Sequence, residues 1–139
     1  AKIKKEIKKI DLILSPAMGG IVIGYEIGRI LNKETIFCER VNKKFKLRRG
    51  FSIKKNSRVL IVEDVITTGK SSLECLELIK KSKAKLVGFA CLIDRSEHKK
   101  TKYKVISQVK LEIPTYKKSN LPHHLKKIPI TKPGSRFLK

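Results

Sequence analysis

A chain of 139 residues with 40% hydrophobic content can bury one core, so a single domain spanning residues 1–139 is expected, without a second folding unit. No apolar run approaches the length of a membrane span, and the opening Ala1-Lys2-Ile3-Lys4-Lys5 has no signal-peptide core; a membrane protein is excluded and a soluble, cytoplasmic one expected. The formal net charge of +22 invites a polyanion partner, but the lysines are spread along the chain without interleaved aromatics or a nucleic-acid motif, so a lysine-rich composition is the preferred account and at most weak, salt-sensitive, sequence-independent nucleic-acid binding is expected.

Residues 1–10 alternate charge with isoleucine and read as the end of a helix. A buried strand follows at 11–15, then the small-residue turn Pro16-Ala17-Met18-Gly19-Gly20, then a helix over 21–31 with Ile23, Ile27, Ile30 and Leu31 on its apolar side. The strand, glycine turn and helix together offer backbone amides to an anion. Residues 35–39 form a further short strand. The next stretch, 40–50, holds Arg40, Lys43, Lys44, Lys46, Arg48 and Arg49 and no acid, the pattern of a solvated basic loop.

The run Val59-Leu60-Ile61-Val62 predicts a strand buried on both faces, which delivers Glu63 and Asp64 to its carboxyl end. After Val65 and Ile66 comes a hydroxyl-rich turn, Thr67-Thr68-Gly69, and after Lys70 a helix from Ser71 through Lys81. Gly69 can take positive φ, and amides at a helix start suit a phosphate; two carboxylates suit sugar hydroxyls or a hydrated Mg2+ ion. The Gly69-Lys70-Ser71 sequence is not the tail of a Walker A loop, because Asp64 stands where that motif needs glycine. Leu73, Leu76 and Ile79 recur at helical spacing, with Cys75 and Leu78 widening the stripe.

A last buried strand, 86–93, ends in Asp94-Arg95-Ser96-Glu97, and the alternation of Val109, Leu111 and Ile113 predicts an edge strand before Pro114. Residues 114–139 read as an irregular tail. Cys38, Cys75 and Cys91 are odd in number and far apart, as buried reduced thiols are, and His98, His123 and His124 show no ligand spacing with them.

The segment 59–69 resembles the phosphoribosyl-pyrophosphate (PRPP) motif of the type I phosphoribosyltransferases, in wording nearest the orotate enzymes. Glu39-Arg40 and Leu47-Arg48-Arg49-Gly50-Phe51 resemble the flexible catalytic loop of that group, and 121–136 resembles its tail. The loop lacks the histidine and two lysines of the better-known version. Ala17, Met18 and Gly19 match the pyrophosphate loop, without the lysine many members carry there. Arg95 matches an arginine that contacts orotate's carboxylate.

The resemblance implies an α/β, three-layer fold around a mainly parallel sheet. It implies transfer of the 5-phosphoribosyl group from PRPP to orotate, giving orotidine 5'-monophosphate and pyrophosphate in pyrimidine synthesis. Glu63, Asp64, Val65, Ile66, Thr67, Thr68, Gly69, Lys70 and Ser71 would hold PRPP, with Ala17, Met18 and Gly19 on its pyrophosphate. Thr67 and Arg95 would meet orotate, and Asp64, Glu63 and Arg40 would be the catalytic residues. Mg2+ would come mainly through PRPP and water, with no direct protein ligand, and the basic loop would close across a homodimer interface. The family's N-terminal hood segment has no counterpart before Ala1, a lack that would weaken turnover more than PRPP binding. The competing expectations are a purine-specific phosphoribosyltransferase and a PRPP-sensing regulator that binds RNA.

Overall fold

A computed structural model describes residues 2–96 and 103–129. The long apolar runs become strands covered on both faces, as parallel sheets require. In chain order the elements are α1 (Lys2–Glu6), β1 (Leu12–Pro16), α2 (Gly19–Leu31), β2 (Glu34–Val41), β3 (Lys44–Leu47), β4 (Arg58–Ile66), α3 (Lys70–Lys81), β5 (Lys85–Asp94) and β6 (Val105–Lys110). They build one six-stranded sheet in the order β3-β2-β1-β4-β5-β6. Every pairing is parallel except the β2–β3 hairpin, so the mainly parallel α/β expectation holds.

The two-residue period of the strands divides the core into two layers. Leu12, Leu14, Val59 and Ile61 face α3, where they join Cys75 and Ile79. Ile13, Leu60 and Val62 face the other way, under Ile23, Ile27 and Leu31 of α2, Ile3 of α1 and Ile7 just after it. The helix α2 can lie close because Gly20, Gly24 and Gly28, spaced one turn apart, turn inward. A Cβ on Gly24 would overlap Ser15 Oγ, and one on Gly28 would overlap Thr35 Oγ1.

Four expectations need correction. The stretch 40–50 is half strand: Arg40 and Val41 end β2 and 44–47 form β3, joined by a tight turn in which Asn42 (φ 50°) and Lys43 (φ 64°) are both left-handed, the geometry that matches strand twist. Ile30 and Leu73, both assigned to buried stripes, are 54% exposed; glycines rather than Ile30 complete the inner face of α2. The edge strand is Val105–Lys110, parallel to β5, and Leu111 and Ile113 lie beyond it, exposed. Alternation alone could not find this, because one face of an edge strand is free to be polar. Finally, β4 does not stop before the acidic pair but continues to Ile66, so Glu63 and Asp64 are strand residues. Past β6 the chain to residue 129 has only the 3-10 turns Lys118–Asn120 and His123–Leu125.

The three thiols are free and buried, as expected. His123 and His124 are exposed; His98 and residues 130–139, including part of the tail resemblance, lie outside the described residues. Among the described residues no helix is long and apolar enough to cross a membrane.

Candidate active site at the carboxyl end of the sheet

The strand order reverses between β1 and β4, each followed by a helix, on opposite faces. Loops that diverge at such a point leave a crevice between them. There the structure has a cavity of about 790 Å³ lined by Arg40, Lys43, residues 63–71 and Glu74. The whole of the contiguous motif read from sequence therefore faces one space.

Adjacent residues of a strand point to opposite faces, and this separates the two carboxylates. Glu63 follows Val59 and Ile61 toward α3. It is only 8% exposed, and its Oε1 accepts a hydrogen bond from Ser72 Oγ. Burial raises its pKa above the usual carboxylate value; the Ser72 bond pulls the other way, and the nearby Asp64 charge raises it further. Asp64 follows Val62 toward α2 and stays exposed, with Oδ1 accepting the Val65 N–H at 2.9 Å. The first residue of α2, Gly19, lies against this carboxylate so closely that a Cβ there would overlap Oδ2. One acid is held beneath the helix; the other faces the crevice.

Beyond β4, Thr67 and Thr68 are exposed and Gly69 takes φ 69°. That left-handed residue lets the chain turn sharply into α3, and as the N-cap it brings no side chain to the first helical amides. A twelve-residue helix thus opens its positive end onto the cavity, with the Thr67, Thr68 and Ser71 hydroxyls beside it. Amides and hydroxyls gathered in this way can cradle a phosphate.

The opposite wall is basic. Arg40 is held by three contacts: Nη1 to Glu74 Oε2 at 2.5 Å, Nη1 to the Lys43 carbonyl at 2.9 Å, and its guanidinium stacked 4.2 Å from the Phe45 ring centre. The hairpin turn thus presents Arg40 and Lys43 to the cradle. The other two arginines of this stretch face Glu39 instead, Arg49 at 2.9 Å and Arg48 at 3.8 Å.

Arg95 and the second glycine loop stand at the margin. Arg95 is exposed at the end of β5, and its N–H donates to the Ile66 carbonyl at 2.8 Å. It does not line the main cavity; the neighbouring Ser96 lines an apolar recess of about 220 Å³ that shares Thr67, Thr68 and Gly69 with it. Ala17 is anchored through its N–H to the Cys38 carbonyl at 2.9 Å, while Met18 is 82% exposed. Only Gly19 of the three touches the acidic residues.

Glu74 and Ser72 were not among the residues singled out from sequence, and Lys43 was given no role of its own. The usable signal was spacing: Glu74 is one turn past Lys70, on the helix face that carries the cradle. For Lys43 the signal existed only as a basic run. Among the described residues no group of three His, Cys, Asp or Glu side chains could hold a metal ion.

Amides, hydroxyls and a carboxylate at the switch point of a parallel sheet suit a phosphorylated sugar, and residues 1–127 match the phosphoribosyl transferase domain family. The chain belongs to the phosphoribosyltransferase family. It is similar to the orotate phosphoribosyltransferase of Parvibaculum lavamentivorans, 49% identical over 139 residues, covering 99% of this chain and 72% of that protein. The orotate phosphoribosyltransferase of Erythrobacter litoralis is 43% identical, covering 97% of this chain and 71% of that one. Among solved structures, orotate phosphoribosyltransferase from Aeropyrum pernix shares the fold with a TM-score of 0.64 at 19% identity, over 78% of this chain and 65% of that one. The fold likeness is shared with adenine phosphoribosyltransferases, whereas the two likenesses at 49% and 43% identity are to orotate phosphoribosyltransferases.

Proposed function

We propose that the protein transfers the 5-phosphoribosyl group of PRPP to orotate, releasing pyrophosphate and forming orotidine 5'-monophosphate. The observation that carries this reading is the single cavity shared by Asp64, the 67–71 cradle and Arg40; the relatives named for the same reaction support it. The sugar phosphate sits on the amides and hydroxyls of 67–71, and Asp64 accepts hydrogen bonds from the ribose hydroxyls. Glu63 acts from beneath, bracing α3 through Ser72. Gly19, with Ala17 and Met18, lies where the diphosphate leaves the sugar. Thr67 and Arg95 meet the base, Arg95 pairing with its carboxylate.

The chemistry is substitution at ribose C1, and negative charge grows on the departing pyrophosphate. Arg40 and Lys43, held on the hairpin, stabilise that charge without a covalent intermediate. With Glu63 engaged by Ser72, Asp64 is the residue that would hold a Mg2+ ion through its water, the ion arriving with the substrate diphosphate. Bound in this way, Mg2+ would share the neutralisation of the leaving group. We further assign a cytoplasmic location and a homodimer; for the latter, Val22 and Tyr25, exposed by 77% and 64% on α2, form a surface that a second copy would cover.

The test is pyrophosphate release from PRPP with orotate, adenine, guanine, hypoxanthine and uracil in turn. Orotate-dependent release that falls by at least about tenfold in Arg95→Ala is expected, since a lost charge-assisted pair is worth roughly 1.5–3 kcal/mol. Release with a purine and not with orotate would refute the assignment. PRPP binding without release with any base would favour a sensing role.

A further inference from the structure

The carboxyl end of the sheet holds the cavity. The amino end collects lysines from separate parts of the chain: Lys9 precedes β1, Lys33 precedes β2, Lys54 and Lys55 precede β4, and Lys83 and Lys85 lead into β5. All six are exposed. The strands they introduce are neighbours, β2-β1-β4-β5, and start nearly level, with Leu12 opposite Glu34 and Val59 and Arg58 opposite Lys85. Backbone bonds tie the starts together: Asp11 N–H to the Arg58 carbonyl at 2.8 Å, Lys85 N–H to Ser57 at 2.8 Å, and Asn56 N–H to Lys83 at 3.0 Å. The lysines consequently form a row rather than a scatter.

Little offsets that charge. Asp11 is engaged chiefly by Arg58 at 2.5 and 2.7 Å, with Lys33 also in its field, and Glu34 is the other carboxylate at these strand starts. Four strands at a spacing of roughly 4.8 Å make a row about 15 Å long. Like charges so close repel one another, so the fold gains nothing from them. A lysine-rich composition explains how many lysines there are, but not why four strand starts present them on one edge.

We propose that this edge docks the phosphate backbone of a nucleic-acid duplex, without regard to base sequence and at the pole opposite the catalytic cavity. A duplex carries one phosphate per about 1.7 Å of axis over both strands, so about 15 Å holds about nine, of which the half on the facing side, about four, would meet the row. Its loops interleave lysine with Asn56, Ser57 and Ser82, groups that hydrogen-bond to phosphate oxygens. Residues 54–57 and 82–85 contain no aromatic side chain on which a single strand could stack and no large apolar one to enter a lipid surface.

The test is fluorescence anisotropy of a labelled RNA duplex of about 20 base pairs, titrated with the full chain at salt from about 50 to 200 mM. A log–log salt slope of roughly −3 to −4 is expected, together with a loss of at least about tenfold in affinity when Lys54, Lys55, Lys83 and Lys85 are all changed to Glu. The same four changed to Gln should show a smaller loss in the same direction, and both variants should keep wild-type PRPP turnover, which establishes that they fold. A control with Lys44, Lys46, Lys110 and Lys117 changed to Glu should lose much less. Equal losses in the edge and control variants, displacement of the duplex by saturating PRPP, or tighter binding to the single strand or to anionic phospholipid vesicles would each overturn the proposal.

Discussion

Arg40 of β2 and Glu74 of α3, 34 residues apart in the chain, meet at 2.5 Å across the mouth of the cavity. Glu74 places a carboxylate beside the site of a highly anionic substrate, and Arg40 keeps two other holds, the Lys43 carbonyl and the Phe45 ring. Glu74→Gln should therefore lower KM for PRPP by about two- to fivefold, because the guanidinium no longer divides itself between a protein carboxylate and the diphosphate. A higher KM would show instead that Glu74 is what keeps Arg40 in place. In Arg40→Ala, kcat should fall by roughly 100-fold, the range for removing one preorganised charge-stabilising group.

Asp64→Asn should cut turnover at least about 100-fold while leaving the melting temperature within about 2 °C of wild type, since the side chain is exposed and surface changes rarely cost more than half a kcal/mol. Gly19→Ala makes a linked case. Its added methyl displaces the Asp64 carboxylate, so activity should drop by more than the binding of inorganic phosphate, which has no ribose for that carboxylate to hold, does. Steady-state kinetics beside calorimetric titration would separate the two.

The glycine face of α2 predicts a stability effect without a chemical one. Gly24→Ala forces its methyl onto Ser15 Oγ, in a position that is fully buried, and should destabilise the fold by about 1–3 kcal/mol, as overpacking does. The pairing with Ser15→Ala should recover part of the loss. Denaturant unfolding of the single and double variants measures this coupling.

Glu63 sets a pH dependence of stability. Its pKa is raised in the folded protein, chiefly by burial, so the fold favours the protonated form. Its contribution is fully present below the unfolded-state value and is lost as pH rises through the raised one. Glu63→Gln stays neutral and can still accept from Ser72. The melting temperature of the variant relative to wild type should rise with pH from about 4 to 8 and level off above the raised pKa. A difference that stays constant across this range would contradict the assignment.

The thiols should be inert in the native state. Cys38 and Cys75 lie 3.4 Å apart, both fully buried; the contact with Cys38, with burial behind it, raises the pKa of Cys75 far above normal, and burial pushes Cys91 up to about 12. Alkylation by iodoacetamide at mildly alkaline pH should track global unfolding, not exposure of individual thiols. Mass spectrometry after timed labelling would report all three cysteines reacting together.

How much of this was legible in the amino-acid sequence follows from the range of the interactions involved. The strand, turn and phosphate cradle of residues 58–71 depend on local pattern and on one glycine, and those are visible in a continuous stretch. The parallel architecture was likewise readable, because strands buried on both faces must be apolar throughout. Arg40 could be singled out, but not its partner, since the bond to Glu74 exists only once β2 and α3 lie on the same side of the sheet. The tertiary structure also decided which acid is exposed at the cavity. Glu63 and Asp64 look equivalent as neighbours in sequence, and the alternation of a strand sends one under a helix and the other into the crevice. The same packing gathered dispersed lysines onto one edge, an outcome set by strand order and register, which no stretch of sequence contains by itself.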